Sequence, residues 1–217
     1  MEVLSIVVAD GAGSAACGGR GAEIACETAQ REIEMWVQTM AELVPACVTV
    51  EQWFGSVRNA LLGAAASEDA ALRDFACTLL IAVVAPAGAA YGHVGDGGIV
   101  IDTGAGLELV FWPQSGEYAN MTRFITDDDA LEHIRTLDSV TAPEELAVFT
   151  DGIQRLALDF RSACVHAPFF DPMLAVLRRQ MPGECDVLDN KLALFLASAK
   201  VNSRTDDDKT LVLATRR

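Results

Sequence analysis

Two short apolar segments of this sequence end in the dipeptide Asp-Gly, and a third apolar segment follows a run of aspartates. The first segment ends at Asp10, the second ends at Asp151, and the third, Leu211 to Thr215, follows residues 206–208. Apolar runs of this length that are rich in β-branched residues predict buried strands, and Asp-Gly is typical of a turn. The chain is therefore expected to bring several carboxylates to the ends of neighbouring strands.

The remaining sequence predicts helices and strands in separate blocks. Apolar residues that recur at intervals of three and four predict helices over residues 22–40, 50–67, 131–137, 172–180 and 187–199, with another beginning near residue 153. Short β-rich runs predict strands over residues 3–9, 76–85, 89–94, 98–102, 107–112, 146–150 and 211–215. The four strands between residues 76 and 112 are predicted to form one antiparallel meander. The fold class is therefore predicted to be α+β with antiparallel sheets, in a single domain over residues 1–217.

The charge of the chain excludes several classes of partner. Its 217 residues include 31 Asp and Glu against 16 Lys and Arg, which gives a formal net charge of −15. Such a charge repels phosphate backbones and anionic lipid surfaces, so neither nucleic-acid nor membrane partners are expected. The six cysteines lack the paired spacing of a zinc site, which favours free core thiols in a reducing compartment. A cytoplasmic location is predicted.

The acidic strand ends predict a metal site. Carboxylates held close together repel one another unless a cation neutralises them, and oxygen ligands of this kind suit Mg²⁺ or Mn²⁺. A single Asp-Gly is more often ordinary turn chemistry, but three acidic strand ends together favour metal binding. The predicted site contains Asp10, Asp151 and an aspartate from residues 206–208.

A glycine-rich loop, residues 11–21, separates the first predicted strand from the first predicted helix. Its Gly11-x-Gly13-x-x-Ala16 pattern formally fits a nucleotide-binding loop, but no second parallel strand follows the helix. The glycines are better explained by close approach of the backbone to a metal, or by an anion bound at the helix start. Ser14 and Arg20 are candidates for holding a phosphate there. No Ser/His/Asp or Cys/His catalytic set is evident.

Four segments, taken in order, resemble the motifs of the metal-dependent serine/threonine protein phosphatases of the type 2C family. They are VVADGAGS at 7–14, HVGDGG at 93–98, FTDGI at 149–153 and TDDDKTLVLA at 205–214. A further segment, GEYANMT at 116–122, is typical of the short bacterial branch of that family. The resemblance covers essentially the whole chain.

The resemblance implies an αββα sandwich, in which two antiparallel sheets lie between pairs of helices. It also implies two Mg²⁺ or Mn²⁺ ions bridged by a water that attacks phosphoserine or phosphothreonine in a protein substrate. The residues that match the family's metal ligands are Asp10, Gly11, Asp151 and Asp207, with Asp96 at the position of a weaker third ion. Asp206 and Asp208 are register alternatives to Asp207.

The sequence departs from the family pattern at two places. Family members usually carry a strand before the first Asp-Gly that supplies a ligand for the second ion, and only nine residues precede Asp10 here. A sandwich that lacks this first strand is therefore expected. The alternative to an active enzyme is a catalytically weak pseudophosphatase that acts as a binding or regulatory module.

The histidine that often follows this Asp-Gly is Ala12 here, so the leaving group would take its proton from water or another group.

The polar segment 115–129 lacks clear periodicity and is expected to be a loop. Loops near a site often carry its specificity, and this segment is therefore predicted to be a substrate-facing flap. Its substrate-binding candidates are Glu117 and Asn120, which join Ser14 and Arg20 from the glycine-rich loop.

Overall fold

The computed structural model describes residues 2–40, 43–114, 122–181 and 185–216. The strands within these ranges are β1 Leu4–Val8, β2 Leu79–Ala85, β3 Gly88–Val94, β4 Gly98–Asp102, β5 Leu107–Leu109, β6 Arg135–Ser139, β7 Glu145–Phe149, β8 Leu158–Asp159, β9 Cys164–Val165 and β10 Leu211–Thr215. The α-helices are α1 Gly18–Met40, α2 Cys47–Ser67, α3 Gln154–Ala157, α4 Ala167–Leu177, α5 Asp186–Leu196 and α6 Ala199–Asn202. Single 3-10 turns lie at Leu72–Phe75, Ala130–Glu132 and Asp151–Ile153. No helix in the described ranges has the length and apolarity needed to cross a membrane.

The strands form two four-stranded sheets and one small hairpin. The first sheet has the order β1-β2-β3-β6, the second has the order β10-β7-β4-β5, and β8 pairs with β9. All of these pairs are antiparallel. The predicted α+β class with antiparallel sheets is confirmed. The parallel strands that the nucleotide-binding interpretation of the glycine-rich loop requires are not found in the described part of the chain.

Three apolar clusters show how the layers pack. Helices α1 and α2 cover the outer face of the first sheet, where Phe54 and Leu61 are buried. The two sheets face each other around Tyr91 and Val148. Helices α4 and α5 lie on the outer face of the second sheet, around Phe170. The layer order is helix, sheet, sheet, helix, which is the sandwich that the family resemblance implies.

Strand β2 illustrates why this architecture needs an uninterrupted apolar run. All seven of its residues are buried. Leu79 and Ile81 belong to the cluster under the helices, whereas Leu80 and Ala82 belong to the cluster between the sheets. Successive side chains of a strand point to opposite faces, and both faces of this strand are covered. An alternating polar pattern would therefore place polar side chains in one of the two cores.

The predicted single meander from residue 76 to residue 112 is wrong. Strands β2 and β3 form a hairpin in the first sheet, but β4 and β5 belong to the second sheet, where β4 pairs with β7. The chain crosses between the sheets at Gly95–Gly97, and Gly95 has a φ of 118° that favours glycine. A sequence of strands and turns predicts local hairpins but does not say which sheet each strand joins.

Other predicted boundaries also differ from the structure. The helix predicted over 131–137 is a 3-10 turn followed by β6, which pairs with β3, so sheet pairing overrides the local pattern. Helix α1 begins inside the glycine-rich loop, and α4 begins five residues before its predicted start, with Pro172 inside it. The hairpin of β8 and β9 was not predicted. Part of the predicted flap, residues 115–121, lies outside the described residues, and the remainder to residue 129 is irregular.

The prediction of core thiols is correct for one cysteine. All six cysteines are free, but Cys77 alone is buried, while Cys164 and Cys185 are exposed and the others are partly exposed. Apolar neighbours in the sequence therefore do not place a cysteine in the core, because half of the residues in a surface strand or helix face solvent.

Candidate active site

The first acidic turn is fixed by the beginning of strand β2. The Asp10 backbone N–H donates a hydrogen bond to Oγ1 of Thr78 (3.0 Å), and the Thr78 N–H donates to the Asp10 carbonyl (2.8 Å). The Ala12 N–H donates to the Ala76 carbonyl (2.8 Å). Thr78 is 4% exposed, so the hydroxyl that holds Asp10 is shielded from water. The backbone that carries the Asp10 carboxyl is consequently fixed by two hydrogen bonds to Thr78.

Gly11 allows the loop after this turn to fold back on itself. A Cβ atom at Gly11 would lie 2.5 Å from the Gly18 carbonyl oxygen, at the first residue of α1. A Cβ atom at Gly18 would in turn lie 2.6 Å from the Ala12 carbonyl oxygen. These contacts are closer than a side chain permits, so the glycines let the start of α1 pack directly against the first acidic turn.

The second acidic turn, at Asp151, is held by the residues that lead into β10. The Thr150 N–H donates to the Thr210 carbonyl (3.2 Å), and the Thr210 N–H donates to Oγ1 of Thr150 (3.1 Å). A Cβ atom at Gly152 would overlap the backbone carbonyl of Asp208. The turn at Asp151 and the aspartate-rich loop 206–208 are therefore in direct backbone contact, as the sequence predicts for neighbouring strand ends.

A third acidic turn, at Asp96, lies where the chain crosses between the sheets. The Thr122 hydroxyl donates to the Asp96 carboxylate (2.5 Å), and the side-chain amide of Gln154 donates to the Asp96 carbonyl (2.7 Å). A Cβ atom at Gly97 would lie 2.5 Å from the carbonyl oxygen of Phe149, which ends β7. The turn at Asp96 therefore packs against the backbone that leads to Asp151.

The electrostatics of these turns show that their carboxyls lie close together. The Asp10 and Asp151 side chains lie close enough to influence each other's pKa. Burial raises the pKa of Asp151 to about 7, and the charges of Asp96 and Asp207 add to the effect. Burial also raises the pKa of Asp10 and of Asp96, with the charge of Asp207 contributing to both. Asp208 contributes to the pKa of Asp10. Among the three register alternatives, Asp207 therefore acts on the most site carboxyls.

The raised pKa of Asp151 predicts that the metal-free protein loses stability as pH rises. The folded chain holds this proton up to about pH 7, whereas the unfolded chain releases it near the ordinary aspartate pKa of 3.8. The stabilising contribution is therefore full at low pH and is lost between these two values. Allowing for solvent screening, we expect the free energy of unfolding in EDTA to fall by about 1 kcal/mol between about pH 5 and about pH 8.

This pH dependence can be measured by thermal unfolding in EDTA, with Asp151→Asn as the matched control. The control lacks the titrating carboxyl, so its unfolding temperature should fall less over the same pH range. An unaltered protein and a control that respond equally to pH would contradict the assigned pKa.

The chemistry of the site fits a hard divalent cation. Burial and mutual repulsion raise the pKa values of Asp10, Asp96 and Asp151, and a bound cation would relieve that repulsion. In the described ranges, no three side chains of His, Cys, Asp or Glu stand together at the spacing of metal ligands. Asp207 is exposed on its loop. The structure therefore gathers the carboxyls at one place without arranging them in a complete coordination shell.

The predicted substrate-binding residues lie in two places. Ser14 is exposed in the loop before α1, and Arg20, in the first turn of α1, forms an exposed ion pair with Glu23 (3.1 Å). Glu117 and Asn120 lie outside the described residues. The roles of all four in binding substrate stay predictions.

Sequence reasoning missed the residues that hold the acidic turns in place. They are hydroxyl and amide side chains: Thr78, Thr122, Thr150 and Gln154. Thr122 and Thr150 lie inside segments that resemble family motifs, so the motifs contained a usable signal. Thr78 and Gln154 contact residues 68 and 58 positions away in the chain, which no local pattern reveals.

The comparisons with known proteins agree with this fold. The family model described as protein phosphatase 2C matches residues 1–197. The sandwich and its acidic turns thus define a protein phosphatase. The chain belongs to the protein phosphatase 2C family, which confirms the resemblance found in the sequence.

One relative supports the same assignment, and several solved structures share the fold. The serine/threonine-protein phosphatase 3 of Escherichia coli K12 is 44% identical over 212 residues, which cover 98% of this chain and 83% of that protein. A crystal structure of a bacterial serine phosphatase has a TM-score of 0.64 at 14% identity, with 97% of this chain and 85% of that chain covered. The catalytic domain of the serine/threonine protein phosphatase PstP, in complex with two manganese ions, has a TM-score of 0.55 at 12% identity, with 97% and 85% covered. PppA, a regulatory component of the T6SS in Pseudomonas aeruginosa, has a TM-score of 0.61 at 17% identity, with 96% and 84% covered.

Proposed function

We propose that this chain hydrolyses phosphoserine and phosphothreonine in proteins, and that its acidic site binds Mg²⁺ or Mn²⁺. The observation that carries the proposal is the close approach of the Asp10 and Asp151 carboxyls, with the charges of Asp96 and Asp207 beside them. The 44% identity to an E. coli serine/threonine phosphatase supports the choice of substrate. The manganese ions in PstP, a structural neighbour, support the choice of metal.

The proposed ligands of two ions are Asp10, the Gly11 carbonyl, Asp151 and Asp207, and Asp96 is proposed to hold a weaker third ion. When bound, these ions supply a nucleophilic water at neutral pH and offset the negative charge of the phosphoryl oxygens. The chain's own contribution is to fix the direction of the carboxylates. Thr78 and Thr150 do this through the backbone hydrogen bonds of the first and second turns.

Other residues complete the proposed mechanism. Ser14 and Arg20, beside the start of α1, are proposed to contact the phosphoryl group of the substrate, and Glu117 and Asn120 to contact the surrounding polypeptide. Ala12 has no proton to give, so the leaving oxygen of the substrate would take its proton from water or another group. We propose that residues 1–217 act as one domain in the cytoplasm. The absence of nucleic-acid and membrane partners stays a prediction.

Removal of divalent metal tests this proposal. We expect Mn²⁺ or Mg²⁺ to support hydrolysis of p-nitrophenyl phosphate and of a phosphothreonine peptide, and EDTA to lower kcat/KM by at least about 10³-fold. Phosphate release is the measurement, and a phosphotyrosine peptide of the same sequence is the control for substrate choice. Equal rates with EDTA and with Mn²⁺ would contradict the proposal, and so would a preference for phosphotyrosine.

A second candidate function is a pseudophosphatase that binds phosphoproteins without hydrolysing them. The observation that favours it is the incomplete coordination shell among the described residues. Calorimetry separates the two candidates, because an active site for two-metal hydrolysis must bind at least two Mn²⁺ ions per chain. One ion or none, together with tight binding of an intact phosphothreonine peptide, would favour the pseudophosphatase.

A further inference from the structure

The end of strand β3 carries a buried histidine three residues before Asp96. His93 is 1% exposed, and its imidazole stacks on Phe111 with a ring-centroid distance of 5.8 Å. Nδ1 of the imidazole lies 2.8 Å from Nη2 of Arg135, which extends from strand β6. The guanidinium of Arg135 also lies over the Phe111 ring, at 5.2 Å from its centroid. His93 is therefore held on two sides by groups from other parts of the chain.

These contacts decide which nitrogen of His93 carries the proton. A guanidinium has hydrogen-bond donors and no acceptor, so Nδ1 of His93 must accept from Arg135. Burial, and then the charge of Arg135, lower the pKa of His93 to about 3, so the imidazole is neutral near pH 7. A neutral imidazole that accepts at Nδ1 carries its single proton at Nε2.

The Nε2–H of His93 lies close to the turn at Asp96. Within the described part of the chain, Nε2 is buried and has no partner that satisfies full hydrogen-bond geometry. The backbones of Gly95 and Gly97 lie close enough to this imidazole to raise its pKa against the larger effect of burial, as hydrogen-bond acceptors do. These two glycines flank Asp96. The Nε2–H of His93 is therefore a buried donor beside the carbonyls of the third acidic turn.

Gln114 and Thr78 form the other contacts of the turn at Asp96. The Gly95 N–H donates to Oε1 of Gln114 (2.9 Å), and the Gln114 N–H donates to the Gly95 carbonyl (3.0 Å). A Cβ atom at Gly95 would lie 2.5 Å from the Thr78 methyl carbon, so the turn also rests on the residue that holds Asp10. The Gly95 carbonyl keeps a second lone pair that can accept from His93.

We propose that His93 is a positioning residue of the active site, which fixes the direction of Asp96 toward Asp10 and Asp151 through the backbone of Gly95 and Gly97. Arg135 fixes the tautomer that makes this possible, because it occupies Nδ1 and leaves the proton on Nε2. The proposal rests on the proposed function, since it assigns Asp96 to a metal site. Partners that orient metal ligands typically change metal affinity by about 10-fold to 100-fold when they are removed.

The chain offers a matched control on the same strand and the same face. Tyr91 is also fully buried, and its hydroxyl also has no hydrogen-bond partner among the described residues. It does not flank the turn at Asp96, so Tyr91→Phe removes a buried polar atom of the same core without touching the positioning contact. His93→Phe keeps the ring and its stacking on Phe111 but loses both nitrogens, and His93→Gln keeps one donor and one acceptor.

Mn²⁺ binding measured by calorimetry is the first test. We expect His93→Phe to weaken the weakest bound Mn²⁺ by about 10-fold and to lower kcat with an unchanged KM for p-nitrophenyl phosphate. His93→Gln should recover most of the affinity, and Tyr91→Phe should bind Mn²⁺ as the unaltered protein does. Equal Mn²⁺ binding by the unaltered protein and His93→Phe would overturn the role of His93. Absence of Mn²⁺ binding by the unaltered protein would instead overturn the proposed function.

Nitrogen NMR of the unaltered protein provides a second test that needs no variant to fold. The chain has three histidines, so its imidazole signals can be assigned individually. We expect His93 to show a protonated Nε2 and an unprotonated Nδ1, and Mg²⁺ to shift the Nε2 signal while leaving that of His166 unchanged. A protonated Nδ1, or an Nε2 signal that does not respond to bound Mg²⁺, would overturn the proposal.

Discussion

Asp151→Asn is expected to lower kcat/KM for a phosphothreonine peptide by at least about 10³-fold and to make the metal-free protein more stable. Asparagine keeps the size of aspartate but removes the charge, so the substitution loses a proposed metal ligand. Metal ions typically contribute several kcal/mol to the stabilisation of transition-state charge, which corresponds to about three orders of magnitude in rate.

The expected gain in stability comes from the same charge, which is unfavourable in the folded protein when no metal is bound. In the metal-free protein, burial and then the charges of Asp96, Asp207 and Asp10 raise the pKa of Asp151, so ionising it there costs free energy. Removing that charge should raise the free energy of unfolding in EDTA at about pH 8 by about 1 kcal/mol, after allowance for solvent screening. A stability gain combined with a loss of activity is expected where charged groups are held together for function.

Urea unfolding in EDTA and phosphate release with Mn²⁺ measure the two effects on one protein sample. Asp69→Asn is the matched control, because Asp69 is exposed and has a positive φ of 52° that asparagine adopts readily. The control should leave both stability and activity unchanged. An Asp151→Asn protein that is active, or that is less stable than the unaltered chain in EDTA, would contradict the assignment of Asp151 to an acidic metal site.

Gly152→Ala is expected to damage the fold and the site together. The added methyl group would overlap the backbone carbonyl of Asp208, and a backbone cannot move aside as a flexible side chain can. We expect the free energy of unfolding to fall by about 2 kcal/mol, within the usual range for an overpacked site. The loop that carries Asp207 must shift to relieve the overlap, and a shift of about 1 Å in a catalytic group can lower kcat by about 100-fold.

Gly55→Ala separates this effect from the general effect of a glycine substitution. Gly55 lies inside α2, and a Cβ atom there meets no other atom within 4 Å. Alanine favours a helix interior over glycine, so this control should gain about 0.5 to 1 kcal/mol of stability and keep full activity. If Gly152→Ala were as stable and as active as Gly55→Ala, the close contact between the second acidic turn and loop 206–208 would be wrong.

The sequence predicted the local elements of the fold well because each has a local cause. Strand β10 was predicted with its observed bounds, since Leu211 to Thr215 is an isolated β-rich run between polar segments. The helix predicted over 131–137 was wrong because strand β6 forms only by pairing with a partner strand. Leu137 faces Tyr91 across the sheet, and the two residues are far apart in the chain. Sheet membership is a long-range property, and the pattern within one strand does not encode it.

Some residues of the candidate site could likewise be predicted from the sequence, and others could not. Asp10 and Asp151 could be proposed from the sequence because each follows an apolar strand and precedes a glycine, whereas Asp96 was proposed only from the family resemblance. Thr78, which holds the first acidic turn, could not be proposed, because threonine is common in strands and nothing local distinguishes Thr78 from other threonines. Its role becomes visible only when strand pairing places it opposite Asp10.

The four aspartates of the acidic site come from both sheets of the sandwich. Asp10 follows a strand of the first sheet, Asp151 and Asp207 flank strands of the second sheet, and Asp96 lies on the crossing between them. Cations held by these aspartates would connect the two sheets, and separating the sheets would release them. Ligands that bind only the folded state stabilise it in proportion to the logarithm of their concentration. The supply of divalent metal would then govern how long the folded chain survives proteolysis, in addition to how fast it works.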